Sequence, residues 1–253
     1  MIGVVKMRHQ PSHTRGLPKL VAVIGPTASG KTSLGEYLAE RFGGEVVSVD
    51  AKQVYRGMDL GTAKEKQLKV CQHLIDIKDP GESITVAEYQ QLAYACIDEL
   101  LAKGKLPVLV GGSMLYAEAV LNGYVFKGGE KSSEQVKRYH SLKLGISWER
   151  SQLKTWAGER LKQRIEAGLL DEIRELLERG VTREWLLSCG MEYRYLTLQV
   201  LGELSPEEAF AKTRQSINQY IKRQYTWWRR HPDVVWVSGT EEAQHLVEQF
   251  LKG

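Results

Sequence analysis

Cysteine is scarce in this chain. Cys71, Cys96 and Cys189 are the only three in 253 residues, and they stand far apart. No Cys-x-x-Cys pair or Cys/His spacing is present, so a zinc site is not expected, and an odd, sparse count fits a reducing cytoplasm. Long apolar runs are missing as well. None approaches the ~20 residues of a membrane-spanning helix. Acidic residues are absent from the first 35 positions, where Lys6, Arg8, Arg15 and Lys19 are basic. Such a stretch is either a transit-like leader or an extension that frays ahead of the first strand, and residues 1–19 are assigned to the second. Internal repeats and low-complexity tracts are also lacking, which excludes collagen and a disorder-dominated chain.

What is present is the composition of a soluble globular protein, 42% hydrophobic and 26% charged. The length suits one α/β domain, alone or with a small subdomain. A net charge of +4 permits a polyanionic partner without demanding one.

Buried-strand patterns alternate with helical ones. Strands are expected over residues 20–25 (LVAVIG), 45–50 (EVVSVD), 73–77 (HLIDI) and 106–112 (LPVLVGG). Helices are expected from Lys31 to Phe42, from a capping box at Thr85 to Lys103, and after Gly112. The alternation predicts an α/β fold with a central parallel sheet. Residues 51–69 are polar and Gly-punctuated, hence a loop. Between 122 and 140 the pattern collapses into a polar, Gly/Ser-rich linker or stunted insertion. A strand at 142–146, helical pieces broken by Gly180 and Gly190, a helix from Ser205 to Arg230, a strand at 234–237 and an amphipathic helix complete the chain. The domain division is then 1–19, 20–121, 122–140 and 141–253.

Residues Gly25-Pro26-Thr27-Ala28-Ser29-Gly30-Lys31-Thr32 match G-x-x-x-x-G-K-[ST] between a strand and a helix. Backbone N–H groups of such a loop and the helix dipole bind phosphate oxygens. Lys31 adds a cation, and the Thr32 hydroxyl is placed to hold Mg²⁺. The motif shows phosphate binding without saying which phosphate compound. Asp50 ends the second strand, at the sheet edge where parallel folds carry their sites. It is a general base, a magnesium ligand or a cap. Residues 209–232 hold Lys212, Arg214, Lys222, Arg223, Arg229 and Arg230 with no acid, interleaved with Tyr220, Tyr225, Trp227 and Trp228. That is either a nucleic-acid surface or a buried aromatic stripe with a solvated basic face. The histidines show no metal spacing, and His73, just before a strand, is the one that stands out.

Several segments together resemble the tRNA dimethylallyltransferase (IPP transferase) family: GPTASGKT at 25–32, SVDAKQVYRGMDLGTAK at 48–64, HLIDIKDPGES at 73–83, LPVLVGGSMLY at 106–116 and KRQYTWWRR at 222–230. The resemblance covers most of the chain outside the middle. It implies a P-loop NTPase-like three-layer core with a helical C-terminal part. It implies transfer of a dimethylallyl group from its pyrophosphate to N6 of the adenine 3′ of the anticodon in tRNA, with Mg²⁺, by a cytoplasmic monomer. The loop Gly25 to Thr32 would then hold pyrophosphate, Asp50 would take the N6 proton, and Ser113, where the family usually has Thr, would touch nucleotide or pyrophosphate. Asp50, Ala51, Lys52 and Gln53 are implied to contact tRNA, as are Lys222, Arg223, Gln224, Trp227 and Arg229. The sequence departs from the family in two places. The helical insertion is reduced to about 122–140. Asn218 stands where the family usually has an Arg that contacts pyrophosphate, and Arg214, one turn earlier on the same helix face, is taken as its substitute. Related readings are an isopentenyltransferase acting on free AMP, ADP or ATP, a non-catalytic RNA-binding homologue, and a small-molecule kinase.

Overall fold

The structure, a computed structural model, describes residues 16–65, 68–127 and 130–253. The N-terminal extension read from the sequence therefore lies almost wholly outside the described residues. Strand β1 (Lys19–Ile24) is buried on both faces, as expected of a Val/Leu-rich run at the centre of a parallel sheet. Around it the strands β2 (Glu45–Ser48), β3 (Gln72–His73), β4 (Pro107–Gly111), β7 (His140–Ile146) and β8 (Val234–Val237) form a six-stranded sheet in the order β3-β2-β4-β1-β7-β8. All the pairings are parallel.

The two faces of β1 enter different cores. Val21 and Val23 pack with Leu34 and Leu38 of α1 (Lys31–Arg41) and with Ala243, Leu246 and Val247 of α9 (Thr240–Lys252). Leu20, Ala22 and Ile24 face α2 (Val86–Ala102), α3 (Met114–Asn122) and the C-terminal helices. The result is the three-layer core that the resemblance implies, built on the parallel sheet expected from the alternating pattern.

Those C-terminal helices are α4 (Arg150–Arg164), α5 (Leu170–Glu178), α6 (Arg183–Ser188), α7 (Met191–Val200) and α8 (Pro206–Arg229). The expected breaks at Gly180 and Gly190 are present, with φ of 89° and 120°. A further break joins α4 to α5: a π-turn over Ile165–Leu169 in which Gly168 sits at φ 103°. The capping boxes at Thr85/Glu88 and Ser205/Glu208 both form.

Two expectations change. The HLIDI strand stops after His73, because Leu74 and Asp76 adopt left-handed backbone at φ 61° and 53°. The chain then pairs with the 53–56 loop instead of β2: Asp76 N–H donates to Gln53 O at 3.1 Å and Ile77 N–H to Val54 O at 2.8 Å. Where a linker or stunted insertion was expected, β5 (Tyr124–Lys127) and β6 (Glu130–Gln135) form an antiparallel hairpin. β6 is nearly all exposed, so its sequence EKSSEQ carries no apolar alternation to mark it.

The loop after β2 is irregular, yet it is held firmly. Glu172 of α5 accepts N–H bonds from Asp59 (2.8 Å), Leu60 (2.6 Å) and Gly61 (3.0 Å), and the Tyr193 hydroxyl donates to it at 2.7 Å. From the other side the Arg164 guanidinium of α4 donates to Leu60 O and Gly61 O, both at 3.1 Å. It also pairs with Glu192 at 3.0 Å. A Cβ on Gly61 would lie 2.2 Å from the Tyr193 ring, so the loop passes against that ring with no room for a side chain.

Hydrogen bonds to charged groups contribute about 1.5–3 kcal/mol each. Glu172→Ala strands three loop N–H groups and is expected to lower stability by about 3–5 kcal/mol, seen in urea as a lower midpoint at unchanged slope. A loss under ~1 kcal/mol would show that the loop is held by other contacts.

Candidate active site

The phosphate loop joins β1 to α1. Gly25, Ala28 and Gly30 have φ of 137°, 62° and 82°, so the backbone curls and can present successive N–H groups to an anion. No acid occupies the first turn of α1 to oppose that anion. The loop is braced on several sides. Ser29 Oγ donates to Pro26 O at 2.9 Å, and Trp148 Nε1 donates to Ser29 O at 3.1 Å. Thr27 N–H donates to Gln224 Oε1 at 2.9 Å, while Gln224 Nε2 donates to Gly112 O at 2.8 Å. One buried amide on α8 thus ties the loop to the end of β4.

Among the charges that line this cleft, Lys31 and Asp50 are a buried pair of opposite sign. The Lys31 ammonium donates to Pro26 O at 2.6 Å. Burial lowers its pKa to about 8; Asp50 pulls it upward and Arg160 pushes it further down. Asp50, just past the end of β2, is also buried, and burial raises its pKa above the ordinary carboxylate range. The Lys52 N–H, at 2.9 Å from Oδ1, and the Lys31 charge act against that rise. Around Asp50 the backbone is fixed by side chains. Ser113 Oγ accepts from Ala51 N–H at 3.0 Å, and Gln53 accepts from Ser48 Oγ at 2.8 Å.

The cleft has two chambers that share Thr27, Ala28, Asp50, Thr62, Ala63, Arg160 and Tyr220. One, of about 460 Å³, is lined by Thr27 to Ser33 of the phosphate loop and by Trp156, Glu159 and Gln163 of α4. The other, of about 340 Å³, is lined by Ala51, Lys52, Ser113, Ala157, Cys189 to Tyr193, Ile217 and Arg223. Asp50 stands at the junction. One chamber carries the phosphate loop with Lys31 and Arg160, together with the carboxylates Glu65 and Glu159, and the other is a mixed polar and apolar slot beside Asp50.

The structure brings Lys31, Thr32, Asp50, Ala51, Lys52, Gln53 and Ser113 together around these chambers, with Arg223 at the rim. It separates several others. Arg214 lines a different groove, with Arg150, Lys154 and Asn218, and does not face the phosphate loop. Its expected catalytic place is corrected on that ground. Arg214 and Asn218, four residues apart and so on one face of α8, both line that groove, and this face is turned away from the cleft lined by Ile217 and Tyr220. Arg160 of α4 lines both chambers, whereas Arg164 and Arg223 line the slot alone.

Gln224 is 1% exposed with both ends of its amide engaged, so it braces the loop and offers no surface to RNA. Trp227 donates from Nε1 to the buried Glu118 at 2.8 Å, a carboxylate that also receives His231 at 2.6 Å and the Tyr124 hydroxyl. It is a packing residue and not a free stacking platform. Arg229 lies over the Tyr225 ring at 4.5 Å and donates to its hydroxyl at 2.8 Å, and Lys222 faces the Arg214 groove. His73 pairs with Glu45 at 2.5 Å, at the start of β2 and away from the cleft.

Arg160 and Arg164 stand in no motif of the sequence, and Tyr220, one of the aromatics of the 209–232 stretch, lines both chambers. The four-residue spacing of the two arginines puts them on one helix face, but only the fold says that this face meets the cleft. Among the described residues no group of three His, Cys, Asp or Glu could hold a metal ion.

Comparison with known proteins agrees with this geometry. A family model described as IPP transferase matches residues 53–138 and again 126–231. The chain is 35% identical to tRNA dimethylallyltransferase 1 of Geotalea uraniireducens, covering 92% of this chain and 97% of the relative. It is 34% identical to tRNA dimethylallyltransferase 2 of Bacteroides fragilis, covering 92% and 98%. The first alignment runs over 291 positions, more than the 253 residues here, so that relative has segments without a counterpart in this chain. The structure is similar to the full-length tRNA isopentenylpyrophosphate transferase of Bacillus halodurans, at a TM-score of 0.83 and 32% identity over 93% of this chain and 96% of that one. The corresponding Staphylococcus epidermidis enzyme gives the same TM-score at 25% identity, over 93% and 99%. With loop, acid and fold all accompanied by these likenesses along nearly its whole length, the chain belongs to the IPP transferase family, that of the tRNA dimethylallyltransferases.

Proposed function

We propose that this protein transfers the dimethylallyl group of dimethylallyl pyrophosphate to N6 of the adenine 3′ of the anticodon in tRNA. The observation that carries the proposal is the meeting of the phosphate-loop chamber and a base-sized slot at Asp50. Pyrophosphate fits the loop chamber, adenine fits the slot, and the reacting carbon and nitrogen meet at the junction. The adenine must leave the stack of its RNA loop to enter.

The exocyclic amine is a poor nucleophile because its lone pair is delocalised into the ring. Asp50 accepts the N6 proton as the new C–N bond forms, and the allylic C–O bond breaks with its electron pair leaving on pyrophosphate. Growing charge on that leaving group is met by Lys31, Arg160 and the loop N–H groups. The Thr32 hydroxyl, in the phosphate-loop chamber, would hold a Mg²⁺ ion, a metal that needs few protein ligands beside a pyrophosphate. Such an ion would add charge neutralisation on the pyrophosphate. Lys52 and Arg223, at the rim of the slot, are placed to meet RNA phosphates.

The test is transfer of labelled dimethylallyl pyrophosphate, with Mg²⁺, into unmodified tRNA or into a mixture of AMP and ATP. Label in tRNA is expected; label only in free nucleotide would move the protein to the free-nucleotide class. Asp50→Ala should leave donor affinity within about twofold and lower transfer by about 10²–10⁴-fold. Equal loss of both would remove Asp50 from the base role. Arg160→Ala should lower kcat/KM for the donor by about 10²-fold, and an unchanged value would separate this arginine from the leaving group.

The pH dependence follows from the two buried charges. Asp50 acts ionised, so the rate rises with pH through its elevated pKa. Lys31 acts protonated, so kcat/KM for the donor falls above about pH 8, where the free enzyme loses that charge. Bound pyrophosphate favours the ammonium, so the alkaline limb of kcat should lie higher. Steady-state kinetics between pH 6 and 10 would test this, and a kcat/KM profile flat across that range would contradict it.

A further inference from the structure

α4 and α8 run side by side, and the pair has two faces. One face, with Ala157, Arg160, Ile217 and Tyr220, lines the cleft. The other is an open groove of about 360 Å³ lined by Arg150, Lys154, Ala211, Arg214, Gln215, Asn218, Gln219 and Lys222. Its four cations are all exposed, and none forms an ion pair among the described residues. No carboxylate lines this stretch. An adjoining stretch adds Lys162 and a single acid, Glu159. The charges are spaced along the helices: Arg150 and Lys154 one turn apart on α4, Arg214 and Lys222 two turns apart on α8, about 12 Å. Amide side chains fill the intervals. Unpaired cations in a row, separated by uncharged hydrogen-bonding groups, suit a chain of regularly spaced anions better than any single anion.

The groove also connects with the cleft. Lys222 and Arg223 are consecutive on α8, the first facing the groove and the second the rim of the slot. A strand that delivers a base past Arg223 therefore reaches the groove by crossing one helix, about 10 Å wide.

We propose that the groove between α4 and α8 binds the phosphate backbone of the substrate RNA where it flanks the modified adenine. This rests on the RNA-modifying reading given above. It supplies, within the core, a grip on RNA in a chain whose relatives carry additional segments. It also gives Arg214 a role outside the chemistry.

The experiment uses the full chain and an anticodon stem-loop RNA, with affinity measured across a salt series. Arg150→Gln, Lys154→Gln and Arg214→Gln are combined, leaving Lys222 intact. The triple variant should bind the RNA at least about tenfold more weakly at physiological salt, with its log–log salt slope reduced by about 2–3. Arg214→Gln alone should reduce the slope by about one. The KM for dimethylallyl pyrophosphate, and kcat at saturating RNA, should stay at wild-type values, as should the thermal midpoint. A folded triple variant with unchanged affinity and slope would overturn the proposal, and the groove would then belong to another partner, such as an acidic protein. Failure of the functional reading shows separately, as wild-type protein that labels free nucleotide and no RNA.

Discussion

Part of the lining of both chambers is a stretch of chain without regular structure, and the site depends on how it is held. Glu172 grips three consecutive N–H groups at residues 59–61 while Arg164 holds the carbonyls of 60 and 61. The next residues, Thr62 and Ala63, line both chambers. A backbone segment fixed through its own peptide groups by two opposite charges has little freedom to move independently of α4 and α5. The helical C-terminal part is thus the frame for a loop that leaves the sheet at β2. The Arg164–Glu192 pair extends the frame to α7, whose first residues line the slot.

The electrostatics of the cleft follow from burial. Taking Lys31 and Asp50 out of water disfavours both charges, and each one restores part of the other's. Arg160 adds a second cation to the loop chamber, which Glu65, 3.9 Å away, and Glu159 partly offset. The Asp50 carboxylate, meanwhile, keeps a proton affinity above that of an exposed acid, which suits it to take a proton from a weakly acidic N–H.

Much of this was legible because it rests on local rules. The P-loop spacing, the acid after β2, the capping boxes at Thr85 and Ser205, and the breaks at Gly180 and Gly190 are each set by a few neighbouring residues. Other features depend on distant partners. The run at 73–77 is apolar enough for a strand, but Val54 and Gln53 capture its backbone groups. β6 is a strand with no buried face, so its composition says loop. Gln224 and Trp227 lie within a basic, aromatic signature that suggests RNA. Their partners, Thr27 and Glu118, are more than a hundred residues away and draw them inward. Arg160 and Arg214 look equivalent as sequence. Only the packing of α4 against α8 sends one into the cleft and the other to the reverse face.

The turn at Gly168 carries a consequence for this frame. It separates the helix bearing Arg164 from the helix bearing Glu172, and so sets the distance between the two jaws that hold the loop. A Cβ at Gly168 would meet only Asp171 Oδ2, at 3.5 Å, so space is not what reserves the position for glycine. The restriction comes from φ of 103°, which L-residues disfavour for reasons of chirality. The opening of the jaws is therefore governed by handedness at one α-carbon. A D-alanine there would keep the grip, whereas an L-alanine of the same volume would strain it.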